Sequence, residues 1–273
     1  MKLAFSTIGC PEWSWNEIME AAIDMRIDGI EIRGVEDELN ALRIGVFQDE
    51  NKEKTLHGLK SRDIEIPMMA TSICLGQMVD EGEEMEEARQ AVDFAAKIGI
   101  PFIRTLISLP PQPEAVDELA AQRRYQQLCQ YAKGKNICVL IETNGILADS
   151  SKMARFLEGA DPASSGVLWD IHHPYRFFHE TPAQTYKTLG DKIKYVHVKD
   201  SAMVQGKVEY RMMGFGDVPV FDAVKILHQN GYSGYITLEW VKRWHPTLRE
   251  PDVVFYHFQS YMETLLTEIE LGA

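Results

Sequence analysis

Four short apolar runs in the chain end in residues that can hold a cation. CVLIET reaches Glu142, GVLWDIHH reaches Asp170, KYVHVKD reaches His197 and YITLEW reaches Glu239. Each run has the length and aliphatic, β-branched content of a buried strand. A single acid at a strand end is ordinarily a solvated or salt-bridged loop residue. Three carboxylates and one imidazole at four such ends are harder to explain that way, because buried carboxylates without a cation are costly. Oxygen donors with one imidazole suit one divalent ion, Mn, Zn, Mg or Co, rather than a thiolate-preferring metal. A histidine bound to metal has its lone pair committed, so acid and base work would fall to Glu142 and Glu239.

Further polar residues crowd the same strand ends. His173 stands three residues beyond Asp170 with Pro174 fixing the chain after it, and is expected against substrate, whereas His172 reads as a surface loop residue ahead of a functional one. Lys199 lies two residues past His197, on the same side of an extended chain. It is expected either at the substrate or in a rim ion pair with Asp200. Asn144, Trp240, Arg211 and Glu31 complete the substrate-side candidates, Trp240 being either pocket wall or core. Lys199, Arg211, Lys242 and Arg243 can neutralise a phosphate or form rim salt bridges.

What positions these residues is an alternation of strand and helix. Strand patterns occur at Leu3–Thr7, at GIEIRG ending near Glu31 and Arg33, and at Ile66–Ile73, Phe102–Ile107, Cys138–Glu142, Val167–Ile171, Tyr195–Val198 and Tyr235–Leu238. Helical patterns fall between them, at Trp15–Arg26, Glu83–Ile98, from the PPQP stretch at Pro110 through Lys133, from about Ser150 to Leu157, after Thr181-Pro182, at Phe221–Gln229 and from Pro251 to about Ile269. The Val35–Asp63 region reads as two charged helical pieces, and the stretch after Asp200 as a polar connection. Strict alternation implies a parallel sheet. Eight units in about 250 residues is the size of a (β/α)8 TIM barrel of the α/β class, here a single domain over residues 1–273. The runner-up, a doubly wound open sheet, lacks a GxGxxG after its first strand. In a barrel the C-terminal strand ends share one mouth, and all four candidate ligands sit at such ends.

Composition narrows the function. With 28 Lys+Arg against 41 Asp+Glu the net charge is −13, which argues against a nucleic-acid partner. Four cysteines without a CxxC pair read as free thiols in a reducing cytosol. No stretch approaches a membrane span, and the N-terminus has no signal-peptide pattern, so a cytoplasmic protein without membrane contact is expected. Phe255, Tyr256 and Phe258 on the last helix either pack inward or form the interface of a homo-oligomer.

IETNG, LWDIHHPY, YVHVKDS, GFGDVP and LEW together resemble the xylose isomerase-like sugar phosphate isomerase/epimerase family of TIM barrels, over essentially the whole chain. The resemblance implies Glu142, Asp170, His197 and Glu239 as ligands of one divalent metal and supports His173 as a pocket residue. Two positions depart from the ketose 3-epimerase branch. Its further acid, six residues after the first glutamate, is Ala148 here, and its arginine before the GxG falls on Tyr210, with Arg211 one place off.

The expected chemistry is proton abstraction next to a carbonyl, through an enediolate, on a small sugar, keto-polyol or sugar phosphate. Returning the proton to the same carbon epimerises, and returning it to the neighbour isomerises. Loss of a hydroxyl from the same enediolate would make the protein a lyase, an inosose or dehydroshikimate-type dehydratase. An endonuclease IV-like phosphodiesterase would need a larger His cluster and a basic surface. A non-catalytic sugar-binding barrel would show no turnover to lose.

Overall fold

Strand and helix alternate around a parallel barrel in the computed structural model, which describes residues 1–272. The barrel strands are β1 (Lys2–Ser6), β2 (Gly29–Glu31), β3 (Met68–Cys74), β4 (Phe102–Leu106), β5 (Cys138–Glu142), β6 (Ser165–Asp170), β7 (Ile193–Val198) and, after a hairpin of β8 (Asp200–Val204) and β9 (Lys207–Arg211), β10 (Tyr235–Leu238). Their order is β2-β1-β10-β7-β6-β5-β4-β3. The last gap, between β2 and β3, is bridged by backbone bonds from Ile32 N–H to the Met68 carbonyl (3.1 Å) and from Ala70 N–H to the Ile32 carbonyl (2.9 Å). This is the (β/α)8 barrel expected from the sequence.

The outer layer is α1 (Trp15–Asp24), α2 (Asp49–Lys60), α3 (Glu81–Ile98), α4 (Glu118–Lys133), α5 (Ser150–Phe156), α6 (His172–Phe178), α7 (Pro182–Leu189), α8 (Val220–Gln229) and α9 (Pro251–Glu270). Local chemistry sets several of their ends. Ser14 with Glu17 and Thr181 with Gln184 form capping boxes, and Pro182 occupies the first turn of α7. Gly99 ends α3 at φ 80, a left-handed conformation that glycine adopts without a Cβ penalty.

Side chains alternate along each strand, so one set packs under the helices and the other fills the barrel. The inner set includes Met68, Leu140, Leu168, Tyr195 and Tyr235. Going up each strand by twos from these residues leads to Glu142, Asp170, His197 and Glu239. The apolar plug therefore forms the floor on which the polar residues stand.

Four segments depart from the sequence expectation. The long helix expected to start from the Pro110–Pro113 turn begins only at Glu118, where the Asp117 carboxylate accepts the Ala120 N–H. The chain from 35 to 63 contains short 3-10 turns at Ala41–Arg43 and Gly45–Phe47 before a single helix, α2. The polar connection after Asp200 is the antiparallel β8–β9 hairpin, turned at Gln205-Gly206, both at positive φ. Helix α6 was not anticipated, because its seven residues have no side-chain cap to announce them. Phe255 and Phe258 are fully buried, Phe255 stacking on Phe5 at 4.5 Å, and only Tyr256 of the three is exposed.

Candidate metal centre and active site

The strand register brings the four candidate ligands together. Asp170 pairs with His197 across β6 and β7, and Glu239 N–H bonds to the Val198 carbonyl one step higher. One donor atom from each of Glu142, Asp170, His197 and Glu239 lies within 4.8 Å of the others, and all four residues are buried. Glu142 and Glu239 line a cavity of about 580 Å³ whose wall also includes Arg33, Arg104, His173 and Lys199. That volume suits a small sugar-sized ligand.

His197 is held from behind. Its Nε2 meets Glu31 Oε2 at 2.7 Å, so Nε2 carries the proton. That leaves the Nδ1 lone pair facing Glu239 Oε1 at 3.5 Å, buried and with no hydrogen-bond partner. An orphaned imidazole nitrogen among three carboxylates is the arrangement a divalent ion would satisfy, and the donor set fits one. Without an ion the pocket favours positive charge. Burial works against protonation of His197, yet the Glu31 and Glu239 carboxylates push its pKa up to about 9.

Two side chains already neutralise the carboxylates. The Lys199 ammonium is bonded to both Asp170 Oδ2 and Glu239 Oε2. Arg104 Nη1 donates to Glu142 Oε2 at 2.9 Å and lies 3.6 Å from Glu239 Oε1. The two glutamates are thereby driven apart. For Glu142 burial dominates and raises the pKa, only partly opposed by Arg104. For Glu239 burial is overcome by Lys199, then His197 and Arg104, which hold it well below the usual carboxylate range.

His173 stands between the two halves. Its Nδ1 bonds to the Thr143 carbonyl at 3.0 Å, and a carbonyl only accepts, so Nδ1 bears the proton. Its Nε2 is then an acceptor, 3.6 Å from Asp170 Oδ2. Burial first, then the nearby Lys199 charge, keeps this imidazole neutral. His172, expected on a surface loop, is instead fully buried on α6 with Nε2 on Ser201 Oγ at 2.9 Å.

The remaining candidates are spread differently. Asn144 lines the cavity, its amide group donating to the Pro110 carbonyl at 3.4 Å. Glu31 is fully buried behind His197 and does not line the cavity. Arg211 is half-exposed on β9, paired with Glu209 at 2.6 Å, and borders a separate hollow with Trp240. The Trp240 indole is buried and donates to the Arg249 carbonyl at 3.0 Å. Lys242 is tied to Glu250 at 2.9 Å and Arg243 to the Glu36 carbonyl, so among these cations only Lys199 reaches the cavity. Asp200 is a loop anchor. Its carboxylate accepts the backbone N–H groups of Ser201, Gly214, Gly216 and Val218. Gly216 is required there, since a Cβ would collide with that carboxylate. Sequence reasoning missed Arg33 and Arg104 as cavity residues. Their inward parity on apolar strands, two residues past Glu31 and two past Phe102, was the available signal.

Residues 19–254 match the family model described as xylose isomerase-like TIM barrel. Fructoselysine 3-epimerase of Shigella flexneri is 23% identical over 211 residues, covering 73% of this chain and 72% of that protein. Among solved structures, a probable 3-DHS dehydratase involved in petrobactin synthesis in Bacillus anthracis superposes with a TM-score of 0.79 at 17% identity, over 96% of this chain and 99% of its own. The IOLI protein with a bound zinc atom superposes equally well, TM-score 0.79 at 14% identity, over 97% and 98% of the two chains. At these identities the two structures establish likeness of fold.

Proposed function

The chain belongs to the xylose isomerase-like TIM barrel family, and from that premise we propose that it is a divalent-metal-dependent isomerase or epimerase of a small sugar, keto-polyol or sugar phosphate. The observation that carries this reading is the orphaned Nδ1 of His197 beside Glu239, with Glu142 and Asp170 in ligand range. The naming of a sequence relative as a 3-epimerase and the zinc atom in a structural neighbour support it. Glu142, Asp170, His197 and Glu239 would hold the ion. When bound, the ion would supply Lewis-acid polarisation of a substrate carbonyl and a template for the neighbouring hydroxyl.

The chain's own residues do the rest. Glu239, kept ionised by Lys199, takes the proton from the carbon next to the carbonyl. Glu142, whose pKa is raised by burial, is the group suited to deliver one. Arg104 and Lys199 face the negative charge that develops on the enediolate oxygens. His173 Nε2 accepts from a substrate hydroxyl and orients it. The alternative is a lyase on the same residues, favoured by the likeness to a dehydratase fold over nearly the whole chain.

Incubating the Mn-loaded protein with ketoses and keto-polyols in deuterium oxide tests the reading. Deuterium should enter the carbon next to the carbonyl. Glu142→Gln and Glu239→Gln should each slow exchange by about 10²-fold or more. Retention of the hydroxyl count marks an isomerase or epimerase, and loss of water marks the lyase. Absence of exchange with every ligand that binds would sink both.

A further inference from the structure

One wall of the cavity holds a guanidinium group that the protein leaves without an anion. Arg33 is 6% exposed and lines the cavity. Its Nη2 donates to Ser72 Oγ at 2.9 Å, while Nε and Nη1 are buried without any partner. Among the described residues no carboxylate forms an ion pair with it. The Trp244 indole, half-exposed at the mouth, covers it at 5.8 Å. Arg104 on the same wall is different, because Glu142 and the Thr71 carbonyl occupy both of its terminal nitrogens. Burial, then repulsion from Arg104, brings the Arg33 pKa down to about 10, which the Glu239 and Glu31 carboxylates only partly offset. A guanidinium is rarely buried unless something pairs with its fork of donors.

The charge count of the site points the same way. Arg33, Arg104 and Lys199 are cationic, and Glu31, Glu142, Asp170 and Glu239 are the carboxylates around them. Adding a divalent ion to three cations and four carboxylates leaves the site positive, by one charge with Glu142 ionised and by two when Glu142 holds the proton it delivers. An anionic ligand group at Arg33 offsets that charge in either state. A phosphate would bring a second charge and find no further cation in this wall: Lys199 and Arg104 are both engaged with carboxylates, and Arg211, Lys242 and Arg243 are turned elsewhere.

We propose that Arg33, with Ser72 beside it, binds a carboxylate on the substrate, so that the preferred substrates are keto sugar acids rather than neutral sugars. This rests on the isomerase reading for where the carbonyl end lies. The carboxylate would dock under Trp244, and the polar chain of the ligand would run from there toward Glu142 and Glu239.

Titration calorimetry with D-fructose, 2-keto-D-gluconate and D-fructose 6-phosphate on the Mn-loaded protein tests it. The keto acid should bind at least about tenfold more tightly than the neutral ketose. Arg33→Met should erase that advantage and leave D-fructose binding within about twofold, while Arg33→Lys, which retains the charge, should restore part of it. Equal affinities, an advantage that survives in Arg33→Met, tighter binding of the phosphate ester, or no keto-acid binding up to about 10 mM would each overturn the proposal. Deuterium exchange with the same ligands separates the two readings. Exchange without any preference for the acid removes only the Arg33 subsite. A preference for the acid without exchange leaves the subsite standing and removes the isomerase.

Discussion

Lys199 is the residue whose role turned most on its surroundings. From sequence it was a substrate contact or a rim partner of Asp200. In the fold it bridges Asp170 and Glu239, two of the four candidate ligands, while Asp200 faces away and secures a loop. A cation held by the candidate ligands would neutralise the same carboxylates as this ammonium. Lys199→Met should therefore destabilise the ion-free protein by about 3–5 kcal/mol, the usual cost of breaking a buried pair, and Mn should recover more stability in the variant than in the wild type. Urea unfolding with and without Mn measures this, and an equal loss in both conditions would contradict it. Glu31 acts one step further back. It fixes the proton of His197 on Nε2 and so aims Nδ1 at the site. Glu31→Gln should weaken metal affinity by about 10–100-fold, read by competition with a chelator, with little change in the folded structure.

At the scale of elements, the loop that follows β9 depends on one side chain. The Asp200 carboxylate gathers the N–H groups of Gly214, Gly216 and Val218 along with that of Ser201, and this explains why GFGDVP needs its second glycine. The motif is therefore held in place by Asp200. Asp200→Ala should cost about 2–4 kcal/mol and expose those amides. Faster hydrogen exchange at Gly214, Gly216 and Val218 than in the rest of the barrel would register it, and unchanged protection there would refute it. The elements that sequence patterns missed share a cause. Helix α6 and the β8–β9 hairpin are short and carry polar or aromatic residues, so neither shows the apolar period that reveals the barrel strands and longer helices. Both are stabilised by what they touch. His172 of α6 stacks against Tyr210 of β9 at 5.8 Å, and Ser201 Oγ accepts from Arg176 Nε and shares a hydrogen bond with His172 Nε2.

For the whole molecule, the candidate metal ligands come from the ends of β5, β6, β7 and β10, with β2 supporting them from behind through Glu31, so an ion held there would tie together more than half of the barrel. Saturating Mn, at about 100 times its Kd, should add about 2.7 kcal/mol and raise the melting temperature by roughly 5 °C or more. Scanning calorimetry before and after chelation checks this, and an unchanged transition would count against a resident ion. Among the described residues no helix is long and apolar enough to cross a membrane. The alternation of strand and helix, and the placing of Glu142, Asp170, His197 and Glu239 at strand ends, were legible in the sequence, because apolar periodicity and strand-end position are local properties of the chain. The pairing of Lys199 with two of those acids, the retreat of Glu31 behind His197, the withdrawal of Arg211 and Trp240 from the cavity and the arrival of Arg33 and Arg104 in its wall were not. Those outcomes depend on strand register and barrel closure, which decide which side chains from distant segments meet; of them, spacing along the chain records only the inward parity of Arg33 and Arg104.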